Sequence, residues 1–115
     1  MTTVDRKQLT RDYKTTPRPM GIFRVRNLPM RRSLVSSSTD LPSILNRHRF
    51  QLENASHANK ALQTDWNELG PASFVFEILD RLQPRDEPTY DPREDLSVLR
   101  EIWAEKLVAT GESLY

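Results

Sequence analysis

Apolar and polar positions alternate most clearly in the first third of the chain. Residues 20–27 read MGIFRVRN, and residues 33–36 form a second short strand-like segment after a plausible turn at residues 28–31. This arrangement predicts a β-hairpin over residues 20–37. Alternation places the first strand's side chains on two faces, with Phe23 and Val25 on one and Ile22, Arg24 and Arg26 on the other.

Helical spacing of apolar residues follows the hairpin. Stripes over residues 41–52 and 58–69 predict two helices, the second ended by Gly70 and Pro71. Residues 73–79 are rich in aromatic and branched side chains, which favours a strand. A charged, Pro-rich loop over residues 83–90 then leads to a last helix, up to Gly111. The predicted N-caps are residues 37–40 for the first of these helices, Ser56 for the second and Asp91, in a capping box with Glu94, for the last.

A short opening helix over residues 4–14 completes the order α-β-β-α-α-β-α. This order predicts an α/β domain of the α+β type, with a three-stranded, mainly antiparallel sheet flanked by helices. The 115 residues suit a single domain. We expect residues 1–19 to form an N-terminal helical extension and residues 20–115 to form the domain itself.

Composition excludes several classes of protein. The chain has no cysteine, so disulfides and thiolate metal sites are ruled out. No apolar run approaches the roughly 18 residues of a membrane span. The first residues are too polar, and carry too many acidic side chains, for a signal or transit peptide. These features predict a cytoplasmic protein with no membrane partner.

Charge is distributed very unevenly. Residues 1–60 hold 12 Lys and Arg against 4 Asp and Glu, whereas residues 61–115 hold 5 against 12. A basic half is typical of a face that binds polyanions such as nucleic acids. The alternative is that the two halves attract each other across the fold.

Specific residues accompany the predicted elements. Gly21-Ile22-Phe23 opens the first strand, and Leu34-Val35-Ser36 lies in the second. Their ordered combination with the later segments resembles the GIY-YIG nuclease domain, whose hairpin carries a Gly-Ile-Tyr and then a Tyr-Ile-Gly tripeptide. The chain also resembles short stand-alone bacterial members of that family, several of which carry eroded motifs. Further matching positions are Asn27, Ser37, Ser38, residues 57–63, Trp66, Asn67, Gly70, residues 74–79 and residues 103–107.

The resemblance implies phosphodiester hydrolysis, which needs an activated water, a cation near the phosphate and a metal Lewis acid. The family uses two tyrosines, an arginine in the next helix and a metal-binding glutamate in the last helix. In this chain all four positions are replaced. Phe23 and Leu34 stand at the tyrosines, Ile44 at the arginine and Arg100 at the glutamate. A phenylalanine has no hydroxyl, and an arginine has the wrong charge for a metal.

Three nearby residues are candidates to rescue the chemistry. Arg47 lies one helical turn after Ile44, His48 occupies a position where the family often has a histidine, and Glu101 is one residue from the expected carboxylate. Simpler roles compete with each: a solvated cation, a histidine at the edge of the core and an exposed carboxylate. Mg²⁺ or Mn²⁺ is the expected cofactor if the chain is active, and no metal ligand is assigned beyond Glu101.

The basic residues predict a nucleic-acid surface of low sequence selectivity. We expect DNA rather than RNA. The predicted nucleic-acid-binding side chains lie on the hairpin and the two helices after it, and they are Arg24, Arg26, Arg31, Arg32, Arg47, Arg49 and Lys60.

Three functions follow as hypotheses. The first is a catalytically degenerate GIY-YIG-like protein that binds nucleic acid or a protein partner. The second is an active endonuclease with a rearranged site, and the third is a protein-interaction module that uses its acidic C-terminal half. The sequence decides neither the oligomeric state nor the pathway.

Overall fold

The computed structural model describes residues 18–115, so the predicted helix over residues 4–14 lies outside the described residues. The remaining predicted elements are all present, and a short fourth strand is added. The strands are β1 (Gly21–Asn27), β2 (Arg32–Ser38), β3 (Phe74–Arg81) and β4 (Ser113–Leu114). The helices are α1 (Leu41–Glu53), α2 (Lys60–Leu69) and α3 (Arg93–Ala109), with a 3₁₀ turn at Pro71–Ser73.

The sheet has four strands rather than the predicted three, in the order β3-β1-β2-β4. The three long strands are antiparallel as expected. The two-residue β4 runs parallel to β2, and its Ser113 and Leu114 pair with Arg32 and Ser33. A two-residue strand has too few positions to show alternation, which is why the sequence pattern missed it.

The hairpin forms in an unbroken register, from Gly21 opposite Ser38 to Asn27 opposite Arg32. The glycine at the start of β1 is required by close approach to β3. A Cβ atom at Gly21 would collide with the carbonyl oxygen of Asp80. The first glycine of the tripeptide motif therefore has a packing role that does not depend on catalysis.

Side-chain caps set the starts of the first two helices. Asp40 accepts from the backbone N–H of Ser43 and begins α1 as predicted. The predicted cap of the second helix is wrong, because Asn59, rather than Ser56, accepts from Leu62 N and begins α2. The hydroxyl of Ser56 instead donates to a carbonyl oxygen at the end of α1.

The start of α3 differs from the predicted capping box. Pro92 occupies the N-cap position and has no side-chain capping bond. Asp91 accepts from the N–H of Arg93 and also binds its guanidinium. Within residues 18–115, no helix is both long enough and apolar enough to cross a membrane.

The main core lies between the sheet and the helices α1 and α2. Its buried members come from four elements, and Leu34, Phe76 and Tyr115 pack around them. Trp66 contacts the Phe74 ring in a tilted arrangement and the Phe76 ring edge-on, which joins α2 to β3. The buried residues of this cluster are Val25, Leu52, Leu62, Trp66 and Phe74.

A buried polar network joins the hairpin to the C-terminal residues. The Tyr115 hydroxyl donates to Asp65 on α2 at 2.6 Å and accepts from the Asn27 side-chain amide at 3.1 Å. Asn27 is fully buried. Burial and the hydrogen bond to Asp65 together raise the pKa of Tyr115 to about 12, so the hydroxyl keeps its proton at neutral pH. This tyrosine therefore supplies a hydrogen bond that the interior of the hairpin needs.

Replacing Tyr115→Phe should lower the free energy of unfolding by about 1–3 kcal/mol, because it leaves the buried Asn27 amide and Asp65 short of a partner. Urea unfolding followed by tryptophan fluorescence measures the loss. Tyr90→Phe is the matched control, since its hydroxyl bonds Asp95 beside the exposed loop. That control should stay within about 0.5 kcal/mol of the wild type. Equal losses in both variants would contradict a special role for Tyr115.

Candidate functional site

The two faces of the hairpin present different chemistry. Phe23, Val25 and Asn27 alternate with Arg24 and Arg26 along β1, as the sequence pattern predicts. The first set lies on the face covered by α1 and α2. Cross-strand partners place Ser36 opposite Phe23 and Leu34 opposite Val25 on this same face. Leu34 packs against the main core, so its position is structural.

Phe23 lies in a small aromatic cluster with two histidines. Its side chain is only 1% exposed, and its ring centre is 5.3 Å from that of His48 on α1. His48 in turn contacts His57, which is buried in the connection between α1 and α2. The cluster therefore joins the first motif position of the hairpin to both helices.

The hydrogen bonds of the two histidines have one possible direction. The backbone N–H of Asn59 can only donate, so Nδ1 of His57, 3.0 Å away, must accept. The proton of a neutral His57 is then on Nε2, which lies 2.7 Å from Nδ1 of His48. His48 accepts there and carries its own proton on Nε2. Neutral His48 can therefore offer a proton or a hydrogen bond through Nε2, but it cannot act as a base at that atom.

Both histidines are held in the neutral form. Burial lowers the pKa of His48 to about 4, and the charges of His57 and Arg47 add to this effect. Burial also lowers the pKa of His57. His57 was part of the matching segment 57–63 but was not among the candidate site residues, because it lies between helices and shares no periodic stripe with His48.

Arg24 and Arg26 are committed to ion pairs on the opposite face of the sheet. Arg24 bonds Glu77 at 2.8 Å, and Arg26 bonds Glu112 at 2.8 Å. Ser33 also donates to Glu112, which is only 5% exposed. Burial raises the pKa of Glu112, but the hydrogen bonds from Arg26 and Ser33 and the charges of both arginines outweigh it and lower the pKa overall. These pairs give both arginines a structural role.

The other two hairpin arginines, Arg31 and Arg32, differ in whether an acidic side chain lies nearby. Arg32 lies 4.2 Å above the Tyr115 ring and 3.8 Å from Asp65. Arg31 is exposed, and its guanidinium donates only to the Thr110 carbonyl oxygen, at 3.4 Å. Among the described residues, Arg31 has no acidic partner within ion-pair distance, whereas Arg32 has one.

The cations of the helices are exposed members of the predicted surface. Arg47 and Arg49 are exposed on α1, and Lys60 is exposed at the start of α2. The Arg49 guanidinium lies 4.4 Å from the centre of the Phe76 ring. Within residues 18–115 none of these three cations makes an ion pair. Ile44 is half-buried on α1, one turn before Arg47.

The last helix, α3, contacts the sheet through Trp103. Trp103 on α3 donates from its indole to Asp80, which pairs with Ile22 on β1. Arg100, one turn earlier, is half-buried. Glu101 is exposed, and among the described residues it forms no hydrogen bond or ion pair with Arg47 or His48. The rescue set of Arg47, His48 and Glu101 stays a prediction.

The described part of the chain has no cluster of metal-ligating side chains. Residues 18–115 contain no group of three or more His, Asp or Glu side chains close enough to hold an ion. The position of the expected ligand is taken by Arg100, whose charge repels a divalent cation. A cationic side chain at the position that the resemblance assigns to the glutamate does not suit a divalent metal.

Comparison with solved structures identifies the architecture. The chain matches a mutant of the catalytic domain of intron endonuclease I-TevI, with a TM-score of 0.65, over 83% of this chain and 90% of that chain. The chain has the GIY-YIG nuclease fold. A second structure, of the catalytic domain of homing endonuclease I-TevI, gives a TM-score of 0.63 over 82% and 94%. Sequence identities are 21% and 23%, and neither a family model nor a curated protein matches the sequence.

Within the GIY-YIG fold, the four motif positions now have definite surroundings. Phe23 is sealed against His48, Leu34 belongs to the core, Ile44 is half-buried and Arg100 lies near Trp103. The fold predicted by the resemblance is confirmed. The resemblance included His57 only as part of the matching segment 57–63 and gave it no role in the site, and it did not identify the acidic partners of the arginines.

The direction of the histidine chain can be measured by NMR. We expect long-range ¹H–¹⁵N spectra at neutral pH to show both imidazoles protonated at Nε2. His48 should titrate near pH 4 because burial disfavours its charged form. The chain has two histidines, so His48→Gln assigns both sets of signals. A proton on Nδ1 of His57 would contradict the hydrogen-bond order.

The same groups make folding stability depend on pH. An unfolded histidine has a pKa near 6.5, above the folded value of His48, so the unfolded chain binds protons first. The contribution is complete above pH 6.5 and falls as the pH drops toward 4. Urea midpoints measured across this range should fall less steeply in His48→Gln than in the wild type. Parallel pH profiles for the two proteins would rule out this linkage.

Proposed function

We propose that this chain is a nucleic-acid-binding domain that does not cleave its ligand by GIY-YIG chemistry. The observation that carries the proposal is the burial of Phe23 against His48 at the position of the family's first tyrosine. A phenyl ring has no atom that can accept a proton from water or hold it by a hydrogen bond. The protein around the ring also leaves it almost no contact with solvent.

The other replaced positions point the same way. Hydrolysis of a phosphodiester requires positive charge where negative charge develops in the transition state. Ile44 supplies none at the arginine position, and Arg100 cannot replace a carboxylate as a metal ligand. Leu34 contributes only to packing. The replacements therefore affect both tyrosine positions, the arginine position and the glutamate position of the family's mechanism.

Binding of nucleic acid is supported by the fold and by the exposed cations of the helices. The neighbouring structures are catalytic domains of an endonuclease. In this chain Arg47, Arg49 and Lys60 are exposed and free of acidic partners among the described residues. We leave Arg24 and Arg26 out of the proposed surface because their charges are already balanced. Phosphate contacts by such side chains need no base-specific geometry, so we expect low sequence selectivity, with DNA as the first ligand to test.

An active endonuclease with a rearranged site is the second candidate. The ordered chain from Asn59 through His57 to His48 favours it, because a histidine fixed in one tautomer is a common part of acid–base sites. Neutral His48 would serve there as a hydrogen-bond donor to a phosphate oxygen or leaving group. The candidate still lacks a base and a metal ligand set.

Binding should depend on the arginines of α1. Arg47→Gln with Arg49→Gln should weaken binding to duplex DNA and reduce the slope of log K against log salt by about 2, one for each phosphate contact. Fluorescence anisotropy of a labelled duplex at several salt concentrations measures both quantities. Arg81→Gln with Lys106→Gln removes the same charge from β3 and α3 and is the control. Equal effects of the two double variants, or binding that ignores salt, would argue for the protein-interaction function instead.

The wild-type protein should leave supercoiled plasmid intact in Mg²⁺ or Mn²⁺, because the replaced groups remove the family's route to hydrolysis. Gel electrophoresis detects nicking with high sensitivity. His48→Ala and Glu101→Ala proteins serve as comparisons and should behave as the wild type does. Nicking by the wild type that either substitution abolishes would establish the rearranged endonuclease.

A further inference from the structure

The tip of the β1–β2 hairpin, residues 28–31, exposes apolar side chains. Leu28 is 43% exposed and Met30 is 51% exposed, with Pro29 between them. Single exposed apolar side chains are common on protein surfaces. Leu28 and Met30, with Pro29 between them, form a small apolar point at the turn of the hairpin. We call residues 28–31 the hairpin tip.

Hydrogen bonds hold the hairpin tip in one conformation. Leu28 N donates to the Ser73 carbonyl oxygen at 2.9 Å, and Met30 N donates to the Asn27 side chain at 3.2 Å. Ser113 N donates to the Arg31 carbonyl oxygen at 2.8 Å. Both ends of the tip are thus fixed to neighbouring elements, and little conformational entropy remains to be lost on binding.

Arg31 is held in an unfavourable backbone conformation. Its φ is +51°, in the left-handed region that favours glycine or asparagine. A long side chain at this position is strained, by about 1–3 kcal/mol for residues of this kind. The strained position places a guanidinium next to Met30, where a glycine would form the same turn with less strain. The sequence therefore keeps a positive charge beside the apolar point.

Within residues 18–115, no acidic side chain lies within ion-pair distance of the Arg31 guanidinium. The nearest acidic side chains of the network, Asp65 and Glu112, are engaged by Tyr115 and Arg26 respectively. Arg32 lies between the Tyr115 ring and Asp65. Arg31 is therefore the tip cation left for an external anion, because its described contact is the uncharged Thr110 carbonyl.

We infer that the hairpin tip is a wedge that enters the minor groove of a DNA duplex and partly unstacks a base step. Leu, Met and Pro side chains act in this way in DNA-bending proteins, where adjacent cations contact the phosphates or the groove. The inference rests on the proposed nucleic-acid binding. Charge complementarity favours a polyanion over an apolar protein surface, because burial of Arg31 in an apolar interface would leave its charge unpaired.

Bending can be measured with a duplex that carries donor and acceptor dyes at its ends. Saturating wild-type protein should raise energy transfer, as expected for a kink of about 20–90°. It should also raise the fluorescence of 2-aminopurine placed at a flexible TA step. Duplexes with TA or CA steps should compete better than stiff A-tract duplexes of the same length.

Two double variants distinguish unstacking by the hairpin tip from binding of DNA through α1. Leu28→Ala with Met30→Ala should lose the energy-transfer and 2-aminopurine changes yet keep salt-dependent binding through α1. Val98→Ala with Val108→Ala removes two equally exposed apolar side chains from α3 and should retain both signals. Arg31→Gln should reduce the salt slope by about 1.

Each result has a definite meaning. Wild-type binding without bending or unstacking, or bending that survives in the Leu28/Met30 double variant, would overturn the wedge and leave the proposed function standing. Failure of the wild type to bind any duplex would overturn the proposed function, and the wedge with it.

Discussion

The central strand β1 is covered on both faces, and this burial requires every polar group on it to find a partner. The partly buried guanidinium groups of Arg24 and Arg26 are paired there with Glu77 and Glu112. An unpaired buried charge costs several kcal/mol, whereas a paired and hydrogen-bonded one is tolerated. The pairs also explain part of the uneven charge of the sequence, because basic residues of the first half meet acidic residues of the second. Arg24 and Arg26 therefore account for attraction between the two halves, whereas the proposed polyanion-binding face rests on other arginines.

Residues 112–115 supply several of the partners that the polar groups of the hairpin need. Glu112 satisfies Arg26 and Ser33, the short β4 extends the sheet, and Tyr115 bonds Asn27 and Asp65. These contacts hold the turn end of the hairpin, on the β2 side of the sheet. They lie next to the turn in which Arg31 has a positive φ and Leu28 and Met30 are exposed. The fold thus uses its C-terminal segment to fix the geometry of its N-terminal hairpin.

Long periodic segments made most of the fold predictable from sequence. The hairpin, both middle helices, β3 and α3 all follow from alternation or helical spacing, and the GIY-YIG resemblance followed from their order together with Gly21, Asn27 and Trp66. The predicted cap at Ser56 failed because a serine and an asparagine three residues apart both qualify by type, and only tertiary packing selects Asn59. β4 was missed because its stability comes from long-range pairing with β2 rather than from its own composition.

The candidate site was less predictable than the fold. The replaced motif positions could be read directly, since a missing hydroxyl or a reversed charge is a property of the residue itself. The partners could not, because Glu77, Glu112 and His57 are distant in sequence or lie outside any periodic pattern. As a result, the arginines of β1 and those of α1 looked alike in sequence, although in the described structure Arg24 and Arg26 have ionic partners and Arg47 and Arg49 have none.

The histidine pair also joins the two middle helices. His48 belongs to α1, while His57 takes its hydrogen bond from the N-cap residue of α2. An added proton on Nδ1 of His48 would face the proton already on His57, and a change of tautomer in His57 would set it against the Asn59 N–H. The pair therefore has no charged arrangement that preserves all its contacts. Acidification should therefore weaken the contact between α1 and the start of α2 before it affects the sheet.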